Sequence, residues 1–155
     1  MNRTDMAYRK SAVEGATGFG LLIALYDTLA GNLRRAATAQ RANDLETRCR
    51  ETKHALIVIA YLENGLQGGP GGALAQVLSR FYSELRRTVI HAQINQSAEA
   101  LEQQMDAVIK IREDWQKMEL RSAASGKAVV ETAGAGYAGG FHPVQAERTM
   151  GGWSA

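Results

Sequence analysis

Apolar residues spaced three or four positions apart run through four long stretches of the sequence, with very little proline to interrupt them. The chain contains two prolines, Pro70 and Pro143, and proline is the residue that a helix interior tolerates least. Because residues three and four apart share one face of a helix, the pattern predicts four amphipathic helices at about residues 19–40, 43–66, 73–94 and 98–121. Short connections between long helices favour antiparallel neighbours, so the sequence predicts an all-α fold, an antiparallel up-down four-helix bundle.

Each predicted helix carries one apolar stripe that we expect to face the core. Asn43, with Glu46 three residues later, resembles a capping box and marks the start of the second helix. The glycines around Pro70 mark its end. The expected inner stripes are Leu22, Leu25, Leu29, Leu33 and Ala36; Leu45, Thr52, Ala55, Ile59, Leu62 and Leu66; Leu74, Leu78, Phe81, Leu85, Val89 and Ala92; and Leu101, Met105, Val108, Ile111, Trp115 and Met118.

The composition divides the chain into three parts. We expect residues 1–16 to form an N-terminal segment that caps the bundle, residues 17–121 to form the bundle, and residues 122–155 to form a flexible tail. The tail holds seven of the 16 glycines and also three aromatic residues, Tyr137, Phe141 and Trp153. We hypothesise that these aromatic residues fold back over the second helix as a mobile cover.

Charge and cysteine content narrow the function classes. The formal net charge is only +2, without the clustered basic residues expected of a nucleic-acid binder. The single cysteine, Cys49, cannot form an internal disulfide and lacks the spacing of a zinc site, which indicates a reducing compartment. The N-terminus has no apolar signal region, and no apolar run reaches the ~20 residues of a membrane span. The sequence therefore predicts a cytoplasmic protein.

One spacing in the second helix is typical of metal-binding bundles. Glu51 and His54 form a Glu-x-x-His motif, but a di-iron bundle needs two such motifs and two further glutamates. A solvated surface pair is the favoured interpretation, and a metal-dependent oxidoreductase is kept as an alternative. The pairs Arg34-Arg35 and Arg86-Arg87 fit either a basic patch or a solvated helix face that nearby glutamates balance. We expect no catalytic residue, no cofactor and no metal site.

Residues 54–62, which read HALIVIAYL, give the second helix more apolar surface than one stripe requires. A bundle helix needs a single apolar face. The extra surface fits the chain's own termini, an identical subunit or an apolar segment of another protein, or else the helix is buried all round. The residues outside the stripes are Leu56, Ile57, Ala60 and Tyr61 on the second helix, Leu21, Ile23 and Tyr26 on the first, and Val77 and Tyr82 on the third.

Five short motifs occur in an order typical of one known family. They are Tyr8 to Val13, Leu25-Tyr26-Asp27, Gly71-Gly72, Phe81-Tyr82 with Arg86-Arg87, and the IREDW of residues 111–115. Across about residues 8–119 the chain resembles the flagellar secretion chaperones, the FliS-type proteins that hold flagellin before export. The chain after Arg121 lies outside this resemblance.

The resemblance implies a cytoplasmic helical bundle without catalytic activity. Such proteins bind the disordered C-terminal segment of flagellin, prevent its premature polymerisation and deliver it to the flagellar type III export apparatus. The family's N-terminal segment covers a groove when cargo is absent, and by the motif match Tyr8 and Val13 are its expected anchors. The expected partner-binding residues are therefore Tyr8 and Val13 together with Leu21, Ile23, Tyr26, Leu56, Ile57, Ala60, Tyr61, Val77 and Tyr82.

A second function hypothesis remains open at this point. The chain is alternatively a structural or regulatory module without flagellin cargo, which forms a homodimer through Ile57 and Tyr61 of the second helix. Both hypotheses use the same apolar surface, so the sequence pattern does not separate them.

Overall fold

Four α-helices make up almost all of the structure. The computed structural model describes residues 18–67 and 71–125. The helices are α1 (Gly18–Arg41), α2 (Leu45–Gly65), α3 (Gly72–Ile94) and α4 (Ala98–Ser125). The described residues contain no strand. The all-α prediction is confirmed, and the predicted helix limits are correct to within a few residues, with α4 running four residues further than expected.

Side-chain pairs show that α1 runs antiparallel to α4. Asp27 accepts a hydrogen bond from Arg112 Nε at 2.8 Å, and Arg41 of the last turn of α1 pairs with Glu102 near the start of α4. In one direction along the bundle axis, residue numbers therefore increase in α1 and decrease in α4. This is the arrangement of neighbours in an up-down bundle.

The helices α2 and α3 are antiparallel in the same way. The Sγ atom of Cys49 near the start of α2 lies 3.7 Å from Nε2 of Gln93 near the end of α3. At the other end of the pair, Glu63 and Arg86 form an ion pair of 2.8 Å. Because α1 contacts α2 and α4, and α3 contacts the same two helices, the four helices close into one bundle.

The cap of α2 lies one residue later than the sequence indicates. Asp44 is the N-cap, and its carboxylate accepts a hydrogen bond of 3.1 Å from the backbone N–H of Thr47. Asn43 has a φ of 55°, in the left-handed region that Asn tolerates better than most residues. The predicted capping role of Asn43 is therefore wrong, because Asn43 makes the turn that places Asp44 at the helix start.

The start of α4 is capped by Ser97. Ser97 Oγ accepts a hydrogen bond of 3.1 Å from the backbone N–H of Ala100. This bond satisfies one of the N–H groups that a helix start leaves without a partner inside the helix. The connection from residue 95 to 97 is short, and α3 and α4 consequently form a helical hairpin.

Two tyrosines that the sequence places on an accessible surface lie in the core instead. Tyr26 and Tyr82 are both fully buried, and their hydroxyl groups are 2.7 Å apart. The assignment of these residues to a partner-binding surface is wrong. The buried stripe of α1 contains Leu22, Tyr26 and Leu29, and the α3 stripe likewise includes Tyr82.

Two leucines of the expected inner stripes lie at helix ends, where the neighbouring helices cover them only in part. Leu45 is the first residue of α2 and is 61% exposed, and Leu74 in the first turn of α3 is 39% exposed. The helical period assigns a residue to a face, but burial also requires a neighbouring helix at the same height. Most other members of the inner stripes are buried or packed against the core.

No helix in the described part of the chain is long and apolar enough to cross a membrane.

Candidate partner-binding site

A stripe of every seventh residue on α2 faces α3 and defines one wall of the candidate site. Cys49 and Glu63 both reach α3, and Leu56 lies midway between them in the sequence. Seven residues make almost two full turns at 3.6 residues per turn, so Leu56 lies on the same side of the helix. Leu56 is half-buried and packs against the core.

The facing stripe on α3 completes the site. Arg86 and Gln93 are the two residues that reach α2, and Ile90 lies between them at helical spacing from both. Ile90 is 40% exposed, and Ile94 one turn later is 72% exposed. The middle of the α2–α3 pair is therefore apolar, with a polar bridge on each side.

We call this region the α2–α3 surface and define it by five residues. Leu56 and Ile90 form its centre, while Ile57 and Ala60 extend it outward on α2. Ile57 is exposed and Ala60 is half-buried. The five residues are Leu56, Ile57, Ala60, Ile90 and Ile94.

The energetic consequence of the α2–α3 surface follows from the size of its side chains. Burying a fully exposed isoleucine contributes about 1.5–3 kcal/mol, and a half-exposed one proportionally less. Ile57 on α2 together with Ile90 and Ile94 on neighbouring turns of α3 thus offers a few kcal/mol to a partner that covers all three side chains. The bundle core is already formed by other residues, so this free energy is available for association.

An open depression lies next to this surface, between the second half of α2 and the first half of α3. Its volume is about 530 Å³, and its lining includes Glu63, Gln67, Gln76, Ser79 and Arg80. Leu66 and Ala75 also line it, so the depression combines polar and apolar side chains. The Glu63–Arg86 ion pair lies between this depression and the α2–α3 surface.

The remaining described candidates do not join the α2–α3 surface. Leu21 and Ile23 of α1 are half-buried, and Ile23 packs against the core. Val77 is 61% exposed, but it precedes Arg86 by nine residues, which at about 100° per residue places it on the opposite flank of α3. The structure thus distributes the predicted residues around the bundle.

Tyr61 stands one turn after Ile57 on the outer side of α2 and is 40% exposed. On the helical wheel it lies between Ile57 and Glu51, and Glu51 contacts Asn32 and Arg35 of α1. Tyr61 therefore extends the exposed apolar face of α2 away from α3.

Tyr8 and Val13 lie outside the described residues, as do Tyr137, Phe141 and Trp153 of the tail. Their expected roles stay predictions.

Sequence reasoning missed Ile90 and Ile94, which carry much of the apolar exposure of α3. A signal for them exists: they are four residues apart, and both lie outside the inner stripe of Leu85, Val89 and Ala92. This signal is weak in the sequence alone, because single exposed isoleucines are common on protein surfaces. Only the position of α2 beside them makes them part of a continuous apolar region.

Glu51 has a structural environment that differs from the expected solvated pair. Its carboxylate is buried between α1 and α2, where it accepts a hydrogen bond of 2.8 Å from Asn32 Nδ2 and lies 3.1 Å from Arg35 Nε. A buried carboxylate requires such partners to offset its lost hydration. His54 is exposed. Within residues 18–67 and 71–125, no three His, Cys, Asp or Glu side chains are grouped so as to hold a metal ion.

The arginine pairs are largely engaged in ion pairs on the helix surfaces. Arg35 pairs with Glu51, and Arg86 pairs with Glu63. Arg87 contacts both carboxylate oxygens of a glutamate one turn earlier at 2.7 Å. These contacts favour the interpretation as balanced helix faces over a basic patch for acidic partners.

Three of the motifs that carry the family resemblance contact one another across the bundle. The Tyr26 ring lies against the Trp115 ring at a centroid distance of 6.4 Å, and Asp27 pairs with Arg112. Together with the Tyr26–Tyr82 contact, these pairs connect α1, α3 and α4. Residues of these three motifs thus connect three of the four helices.

Comparison with known proteins gives one clear match. The family model described as "Flagellar protein FliS" matches residues 1–122. No curated protein matches the sequence significantly.

Proposed function

The chain belongs to the flagellar protein FliS family, a family of flagellar secretion chaperones, and from this premise we propose that it binds the C-terminal segment of flagellin. In this proposal the bound flagellin segment is kept from premature polymerisation and delivered to the flagellar type III export apparatus. The proposed place of action is the cytoplasm, where flagellin is held before export.

The observation that carries the proposal is the α2–α3 surface. Exposed Ile57, Ile90 and Ile94 form apolar surface on a bundle whose core is already filled by other side chains. Apolar side chains that stay exposed beside a filled core are typical of a site that binds an apolar segment of another protein.

A disordered partner suits the distribution of exposed apolar residues. Beyond the α2–α3 surface, apolar side chains that are exposed or half-buried continue on other parts of the bundle, with Tyr61 on α2 and Leu21 on α1. A rigid partner of ordinary size covers one flank, whereas an extended chain that folds on binding wraps over several. This supports a partner segment that has no fixed structure before it binds.

Titration calorimetry with a flagellin C-terminal peptide tests the proposal. We expect saturable binding with a clearly negative change in heat capacity, because the association buries apolar surface. A peptide of the same composition in scrambled order is the control. Absence of binding at concentrations of several hundred micromolar would contradict the proposed cargo.

Light scattering of the free protein tests the homodimer alternative. If Ile57 and Tyr61 form a dimer interface, replacing both with glutamate converts a dimer into a monomer. A wild-type protein that is already monomeric rules out this interface.

A further inference from the structure

A second exposed apolar region lies on the opposite flank of α3, in the groove between α3 and α4. We define the α3–α4 groove by Leu74, Val77, Phe81 and Met118. Phe81 and Met118 are half-buried and pack against the core, so they form the floor. Leu74 and Val77 are exposed and form the rim.

The contacts of the neighbouring helices place these residues on facing sides. On α3, the side towards α2 is marked by Arg86, and Val77 lies about half a turn away from it. On α4, the side towards α1 is marked by Arg112. Met118 lies about 120° away from Arg112 and therefore on the side towards α3.

The helical hairpin of α3 and α4 gives the position of the groove along the bundle axis. Because α3 and α4 are joined by the short connection at residues 95–97, residues equally far from it along the two helices lie at the same height. Leu74 is thus level with about Met118, and both lie near the end of the hairpin where α4 finishes. The last residue of α4, Ser125, is only about 10 Å further along the helix axis than Met118.

Thirty residues of the chain follow Ser125, and they begin beside this groove. In the described structure α4 contacts α1 and α3 but not α2. The start of the tail is therefore next to the α3–α4 groove and diagonally across the bundle from α2. This position argues against the second helix as the surface that the tail covers and favours the α3–α4 groove.

The tail sequence supplies a matching occupant at a suitable distance. Tyr137 and Phe141 stand four residues apart in a Gly-rich stretch, and Tyr137 is twelve residues beyond Ser125. A Gly-rich chain of twelve residues has a mean span of about 19 Å. This mean span is only modestly longer than the distance from Ser125 back to Leu74. A tethered group reaches a high effective concentration when the linker length matches the distance in this way.

The chemistry of the floor also favours aromatic side chains. Phe81 offers a ring for tilted or edge-to-face packing, and Met118 offers a thioether, which makes favourable contacts with aromatic rings. We propose that Tyr137 and Phe141 of the tail occupy the α3–α4 groove and cover Leu74 and Val77. This contact within the chain is separate from the α2–α3 surface and does not depend on flagellin binding.

Disulfide formation in the full chain tests the proposal. In a Cys49→Ser background, Val77→Cys is combined with Ala138→Cys, which retains both aromatic residues of the tail. The matched control combines Gln76→Cys with Ala138→Cys, because residue 76 is also exposed and is the neighbour of Val77 on another side of α3. Disulfide bonds form only where Cα atoms come within about 7 Å.

We expect the Val77 pair to close roughly fivefold faster than the Gln76 pair, because docking holds the tail on one side of α3. Adding Tyr137→Ala and Phe141→Ala should remove this preference while the helical content remains unchanged. Equal rates for the two pairs in the presence of both aromatic residues would overturn the proposal.

Two further outcomes would identify another occupant. A disulfide between two chains through Val77→Cys would show that a second copy covers the groove. A pair of Val77→Cys with Val13→Cys that closes faster than the tail pair would show that the N-terminal segment covers it. Either result replaces the tail as the occupant.

Discussion

The hydroxyl groups of Tyr26 and Tyr82 lie 2.7 Å apart in the centre of the bundle, where both side chains are fully buried. The two residues belong to helices α1 and α3, which face each other diagonally. The hydrogen bond therefore spans the bundle interior, and the Trp115 ring of α4 packs beside Tyr26. These aromatic residues fix the relative height of three helices.

We predict that Tyr26→Phe lowers the free energy of unfolding by about 1 kcal/mol, since a buried hydrogen bond between neutral groups contributes about that much. Tyr82→Phe should have a similar effect. The double variant should cost clearly less than the sum of the two, because the shared hydrogen bond is lost only once. Urea unfolding of the four proteins measures this coupling, and strict additivity would contradict it.

The buried position of Glu51 gives a second prediction. Glu51→Ala removes the hydrogen-bond acceptor of the buried Asn32 amide, which should lower the free energy of unfolding by about 2 kcal/mol. Glu84→Ala is the matched control, because Glu84 pairs with Arg87 on an exposed face. Surface pairs contribute about 0–1 kcal/mol. Equal destabilisation of the two variants would contradict the structural role of Glu51.

The helix cap at Asp44 gives a prediction of pH dependence. Hydrogen bonds from the side chain and the backbone N–H of Thr47 hold the pKa of Asp44 below its ordinary value of 3.8. The ionised form is therefore favoured in the folded protein. The stabilisation is present above the pKa of the unfolded chain, and it is lost as the pH falls through the folded pKa.

Thermal unfolding of Asp44→Ala and the wild type as a function of pH tests this cap. We expect a lower Tm for the variant at neutral pH and a difference that shrinks on acidification below about pH 4. Asp44→Asn is the control, because asparagine also caps helices but does not titrate. A Tm difference for Asp44→Ala that stays constant down to pH 2 would contradict the role of the carboxylate.

The proposed cargo surface gives a fourth prediction. Ile57→Glu and Ile90→Glu place charges in the α2–α3 surface at exposed positions, so the bundle should remain folded. Each should weaken binding of the flagellin C-terminal peptide at least tenfold, about 1.4 kcal/mol. Calorimetry measures the affinity, and circular dichroism confirms the helical content.

Val77→Glu is the matched control for the cargo surface, since Val77 is at least as exposed but lies on the opposite flank of α3. We expect its peptide affinity to remain within about threefold of the wild type. If all three variants weaken binding equally, the peptide does not distinguish the two flanks and the assignment to the α2–α3 surface is wrong.

The helices could be predicted closely because their signal is local. The periodic spacing of apolar residues and the turn residues between them fix where each helix begins and ends. The single error in capping, Asn43 instead of Asp44, has a local cause as well: both residues are good caps, and the choice depends on the backbone turn at Asn43.

The candidate site could be predicted only in part. The outward position of Ile57 and Tyr61 follows from the helical period, and both are exposed. Tyr26 follows Leu22 by four residues and precedes Leu29 by three, and Tyr82 stands likewise between Leu78 and Leu85. The helical period therefore fits the burial of both tyrosines. Only the tertiary structure shows that their two hydroxyl groups meet across the bundle.

The sequence by itself determined the four helices, the order in which they pack and the family to which the chain belongs, since these depend on spacing along the chain. Only the tertiary structure decided which apolar residues remain exposed. Leu56 and Ile90 form one surface because α2 and α3 lie side by side at that height, and Val77 is separated from them because α3 turns it towards α4. Burial depends on three-dimensional neighbours, and the spacing within one helix does not specify them.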